Sequence, residues 1–105
     1  MPEKEFIDFL GTSALDRIRC WFKTEKGEVI EILVVQYETF INDQWLPVVR
    51  YDTSHGFFHR DLYDATGREY KERLDMNLSE ALTFAIRDIR KNWKTYKSRL
   101  QGEQS

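Results

Sequence analysis

Cysteine occurs only once in the 105 residues, at Cys20. A lone thiol excludes an internal disulfide and every paired-cysteine zinc motif. Cys20 alternates with Ile18 and Phe22, which reads as a small buried hydrophobe rather than a nucleophile. Long apolar runs are missing as well. No stretch approaches the roughly 18 residues of a spanning helix, so no membrane contact is expected. The N-terminal MPEKEFIDFL is acidic and has no uninterrupted apolar segment of the kind a secretory leader carries, so the expected location is the cytoplasm. The five glycines form no phosphate-binding loop and no nucleophile elbow, and no cofactor is expected. Histidine is scarce too, and both copies, His55 and His59, fall within one twelve-residue stretch.

What is present describes one small domain over residues 1–105. The chain is too short for two ordinary cores. Its 15 aromatic residues supply a real core, and its 32% charged residues a solvated surface. The net charge of -2 is unevenly spread, because residues 86–105 carry six basic side chains against Asp88 and Glu103. That excess suits the end of a helix and would also suit an acidic partner.

Residues 1–13 mix Phe6, Ile7, Phe9 and Leu10 with charges before Gly11, and predict a short helix or ordered arm rather than a strand. From Asp16 the pattern alternates, with Ile18, Cys20 and Phe22 against Arg17, Arg19 and Lys23, and predicts a strand. Lys26-Gly27 turns the chain into the β-branched run 28–41, and Asn42-Asp43 turns it again into 44–52. Pro47 pushes this third strand toward an edge or a bulge. Residues 57–63 alternate once more, and 69–74 offer a polar fifth strand. From Leu78 the period becomes helical, with Ile86, Ile89, Trp93 and Tyr96 on one stripe and a capping box at Asn77 to Glu80. The expectation is an α+β fold: an antiparallel meander of four to five strands, one helix over Leu78–Leu100 packed on one face with Trp93 buried, and a frayed tail at 101–105.

The stretch RYDTSHGFFHRD, residues 50–61, concentrates the chemistry. On a strand His59 and Asp61 share a face and Arg60 takes the other. A hairpin with its tip at 53–56 brings Asp52 next to the start of the following strand. Asp52, His55, His59 and Asp61 are therefore the candidate acid–base residues, expected to lie close together and to be partly exposed, with Arg50 and Arg60 placed to bind phosphate. Such a set suits RNA cleavage without metal. Turn chemistry and a solvated strand face explain the same residues equally well. A metal site is not expected, because the glycine between the histidines argues against the helix on which that spacing would work. On the helix, Arg87, Arg90, Lys91 and Lys94 form a stripe able to follow a phosphate backbone, or a plain solvated face.

The segment R-Y-D-T-x-H-G-F-F-H-R-D-L-Y, followed by a turn and a capped amphipathic helix, resembles a family of small uncharacterised prokaryotic proteins. More distantly it resembles the TumE-type toxins of toxin–antitoxin modules. The resemblance runs over roughly residues 16–98, and its specific part is Arg50, Tyr51, Asp52, His55 and His59. It implies a small nucleic-acid-acting effector. The alternative from the residues themselves is a non-catalytic module that binds a protein partner or a second copy of itself, and a homodimer is the expected state.

Overall fold

The computed structural model describes residues 2–54 and 56–102. Six strands, β1 (Glu3–Phe9), β2 (Asp16–Glu25), β3 (Glu28–Ile41), β4 (Gln44–Asp52), β5 (His59–Tyr63) and β6 (Glu69–Arg73), precede one helix, α1 (Leu78–Leu100). The strands form one antiparallel sheet in sequence order, and the architecture is α+β as the periodicities predict.

One expectation about the sheet needs correction. The sheet has six strands rather than four or five, because the N-terminal segment read as a helix or arm is itself a strand. Lys4, Phe6 and Asp8 lie opposite Phe22, Cys20 and Ile18 of β2. Its sequence lacks alternation because it forms an edge whose side chains are mostly exposed. Pro47 lies on an interior strand, and of the edge or bulge expected for it the bulge is what forms. Register slips there, so that Tyr37 faces Val49 while Glu38 faces Pro47, and the bulge takes up the missing donor.

Both predicted hairpin turns form. Lys26 and Gly27, and likewise Asn42 and Asp43, all adopt positive φ, the two-residue turn whose twist matches that of paired strands. The helix starts where Asn77 Oδ1 accepts the Glu80 N–H at 2.9 Å. It buries Ala81, Ala85, Ile89 and Tyr96, chiefly across β3 and β4. Two alanines at the contact let it lie close to the sheet. Against it pack Ile18, Cys20, Ile32, Val35, Tyr37, Val49 and Tyr51, the core of the protein. Trp93, expected to be buried, is half-buried, with its ring edge-on to Tyr37 at 6.0 Å. It also lies against Gly11, where φ is +68° and an added Cβ would stand 3.3 Å from the indole. Among the described residues no helix is long and apolar enough to cross a membrane.

Candidate functional site

Strand β4 pairs with β5 so that Arg50 faces Asp61, Tyr51 faces Arg60 and Asp52 faces His59. The period of two then divides the hairpin into two charged clusters. Arg50, Asp52, His59 and Asp61 point away from the helix, while Tyr51 and Arg60 point toward it.

On the open face, Asp52 is the hub. Its Oδ1 accepts the backbone N–H of Ser54 at 3.0 Å and the Ser54 hydroxyl at 2.8 Å, which is the turn chemistry of an aspartate at a hairpin tip. Nε2 of His59 lies 3.0 Å from the same oxygen, and Arg50 Nε donates to Oδ2 at 2.7 Å. His59 Nε2 also lies 3.6 Å from Asp61, whose other oxygen faces Lys71 Nζ at 3.8 Å. Thr53 fixes the turn to β3 by exchanging hydrogen bonds with the backbone of Ile32.

Asp52, His59 and Asp61 are thus gathered as expected, but they are not exposed: they retain 3%, 1% and 4% of their surface. Burial follows from neighbours that sequence adjacency does not reveal. Register places Arg19, Gln36, Arg50, Asp61 and Lys71 in one cross-strand row, and the next row sets Arg73 opposite His59. Arg73 reaches over the Phe57 ring, which itself packs on His59. Long cationic side chains therefore roof the carboxylates, with Arg50 36% and Lys71 45% exposed. His55, the fourth expected member, lies outside the described residues.

The two carboxylates differ in environment. For Asp52, burial raises the proton affinity, but hydrogen bonds from Arg50 and Ser54 outweigh it and hold the group below the usual carboxylate range. For Asp61, burial and the charge of Glu69 push it above that range, only partly opposed by His59 and Lys71, and its Oδ1 is buried with no hydrogen-bond donor. The three residues could also hold a metal ion, since one ligand atom from each lies within 4.8 Å of the others. Arg50 and Lys71, however, already set positive charge against both carboxylates, which a further cation would have to displace.

On the helix face, Arg60 belongs to a different cluster. Asp88 accepts from the hydroxyls of Tyr51 and Tyr96 and from Arg60, which also pairs with Glu72. Burial raises both tyrosines, Tyr96 to about 12, and the Asp88 carboxylate adds to the effect. Sequence reading missed this cluster. Asp88 falls one turn from Phe84 and two turns from Tyr96 on the half-buried helix side, and that spacing was the available signal. The other basic residues expected to contact phosphate are dispersed. Arg87 and Lys91 line an open groove of about 570 Å3 along the helix, Arg90 pairs with Asp8, and Lys94 lies beside the Trp93 ring. The sheet separates all four from Arg50.

No curated protein and no solved structure matches the chain. A family profile described as a domain of unknown function, DUF7718, matches residues 1–105 in full, and the chain belongs to that family.

Proposed function

We propose that this protein acts on RNA as an acid–base catalyst of phosphodiester cleavage, with Asp52 and Asp61 as reacting groups and Arg50 and Lys71 as phosphate contacts. The observation that carries the reading is a pair of buried carboxylates bridged by one imidazole and roofed by two partly exposed cations. Burying two carboxylates costs stability that a sheet with a full core on its other face does not need to spend. The opposed environments support this division of roles, since Asp52, lowered, stays ionised and can accept a proton, while Asp61, raised, is the one of the pair that holds a proton more tightly and so suits the acid.

An incoming phosphate draws Arg50 and Lys71 off the carboxylates and uncovers them. The ribose 2′-hydroxyl loses its proton to Asp52 and attacks the adjacent phosphorus. The bond from phosphorus to the 5′ oxygen breaks, and that oxygen takes the proton of Asp61, leaving a cyclic phosphate and a 5′-hydroxyl. His59, at 1% exposure, is a positioning residue that fixes both carboxylates. A chain of this kind would serve as the small effector of a toxin–antitoxin-like module.

The test is cleavage of single-stranded RNA in the presence of a chelator by wild type, Asp61→Asn, Arg50→Ala and His59→Gln, each checked for folding by circular dichroism. Wild type should leave cyclic phosphate ends. Asp61→Asn should lose roughly 100-fold in rate while still binding RNA, and Arg50→Ala should weaken binding. Absence of cleavage by wild type, or full activity in folded Asp61→Asn, refutes the proposal.

A further inference from the structure

The two edges of the sheet are built differently. At one end β6, Glu69–Arg73, is five residues long, four of them charged and all exposed, which is how a protein blunts an edge against unwanted pairing. At the other end β1 spans seven residues and also carries four charges, Glu3, Lys4, Glu5 and Asp8, but it contains no proline and leaves Phe6, Ile7 and Phe9 at 40%, 48% and 52% exposure. Leu15, just before β2, adds a fourth exposed apolar side chain. A longer edge whose C-terminal half leaves three large apolar side chains exposed, and whose charges are of both signs, can take another strand.

The backbone says which atoms are on offer. Leu10 N–H donates to Asp16 and the Pro2 carbonyl accepts from Thr24, so the even-numbered residues of this segment bond inward to β2. Antiparallel ladders alternate, which turns the N–H and C=O groups of Glu3, Glu5, Ile7 and Phe9 outward.

From this we infer that β1 pairs antiparallel with β1 of a second copy about a two-fold axis at Phe6, joining two six-stranded sheets into one. The register is selected by three independent features. It is the one that overlaps all seven residues, with Glu3 opposite Phe9 and Glu5 opposite Ile7 of the second copy, and every outward backbone group then finds a partner. It sets Lys4 opposite Asp8 of the second copy, twice by symmetry, and Asp8 already carries Arg90 of its own helix, so that carboxylate joins two cations. It places Phe6 against Phe6 at a pair without backbone bonds, where side chains approach closest. Shifting the axis to Ile7 would set Lys4 against Leu10, without its opposite charge, and would lose the Phe6 pair. The inference is independent of the chemistry proposed for Asp52 and Asp61, which lie toward the other edge.

Sedimentation from low micromolar concentration up to the solubility limit tests the association. Wild type should move to twice the 12.6 kDa chain mass, and Ile7→Glu, which sets like charges opposite Glu5 of the second copy twice by symmetry, should weaken the dimer at least tenfold while keeping the wild-type circular dichroism spectrum. Register is tested in a Cys20→Ala background, because Cys20 lies opposite Phe6 within one chain. Phe6→Cys should cross-link to itself on mild oxidation. Lys4→Cys should cross-link poorly alone and well when mixed with Asp8→Cys. A wild type that stays monomeric throughout, a dimer indifferent to Ile7→Glu, or efficient self-cross-linking by Lys4→Cys would overturn the inference.

Discussion

The β4–β5 hairpin carries charge on both of its faces, and the two faces use it in opposite ways. Toward the helix, Asp88 gathers the hydroxyls of Tyr51 and Tyr96 and the guanidinium of Arg60, and Arg60 takes Glu72 as a second partner. Donors and acceptors there come from strand, strand and helix, so their pairing holds the helix on the sheet. On the open face, Asp52 has more donors than it needs and Asp61 has an oxygen with none. The first arrangement is closed and the second unequal. A single residue of offset along the strand separates them, because consecutive side chains point to opposite faces. The comparison teaches that charge density alone does not mark a site; the imbalance within the cluster does.

The largest effect should come from breaking the closed cluster. Asp88→Ala removes the acceptor of two hydroxyls and one guanidinium in a region only 12% to 18% exposed. Arg60 keeps Glu72, but the buried hydroxyls of Tyr51 and Tyr96 lose their acceptor. Each unsatisfied buried donor costs about 1 to 3 kcal/mol, so we expect about 3, read from urea denaturation. A loss below about 1 kcal/mol would show that the cluster does not hold the helix.

Next comes Asp52→Ala, which strands Arg50, both donors of Ser54 and His59 at the hairpin tip. Unsatisfied donors at a buried position cost about 1 to 3 kcal/mol. Arg50 and Ser54 can turn to water, which places the expected value near 2 in the same measurement. Equal losses in Asp52→Ala and Asp61→Ala would erase the difference between the carboxylates on which their roles rest.

A smaller loss should follow from Gly11→Ala, which tests the closed side at its other end. The residue sits at φ +68° and its new methyl would meet the Trp93 indole at 3.3 Å. A left-handed backbone costs an alanine about 1 kcal/mol, and the half-buried indole can yield by a few tenths of an ångström. Thermal unfolding should show a drop of a few degrees. An unchanged melting temperature would mean that Trp93 packs elsewhere.

These contrasts were unevenly legible in the sequence. Periodicity predicted β2 to β5 and the helix nearly residue by residue, because each has one face on the core and its pattern is written by burial. Strand β1 was hidden for the opposite reason: Phe6, Ile7 and Phe9 follow no period since no face of that edge is sealed, and only the pairing of Lys4, Phe6 and Asp8 with β2 makes it a strand. The proximity of Asp52, His59 and Asp61 could be read from a hairpin and a period of two. Their burial could not, because the roof is built by Lys71 and Arg73 on β6 together with Arg50, and registers between distant strands leave no local trace. The Asp88 cluster left only the helix spacing of Phe84, Asp88 and Tyr96 as a local trace, because its bond from Tyr51 joins residues 37 positions apart.

The smallest effect, and the one that most sharpens the comparison, should come from Asp61→Asn. Burial and Glu69 raise the proton affinity of Asp61 above its unfolded value, so the folded state holds the proton more tightly than the unfolded chain. Its contribution to stability is therefore full at low pH and is lost as pH rises through the folded value. Asp52 runs the other way: lowered by Arg50 and Ser54, it contributes above the unfolded value near 3.9 and loses that contribution as pH falls through its folded value. An amide at 61 keeps the shape and an acceptor oxygen for His59 or Lys71 while removing the charge that burial opposes. Asp61→Asn should therefore be neutral or stabilising by up to about 1 kcal/mol at pH 7. Its stability relative to wild type should increase as pH rises above the unfolded value near 3.9, because the opposing slope of Asp61 has gone. Denaturation curves across that range decide it, and a destabilisation that grows toward neutral pH would mean that the ionised Asp61 is an asset to the fold, leaving the open face as closed as the other.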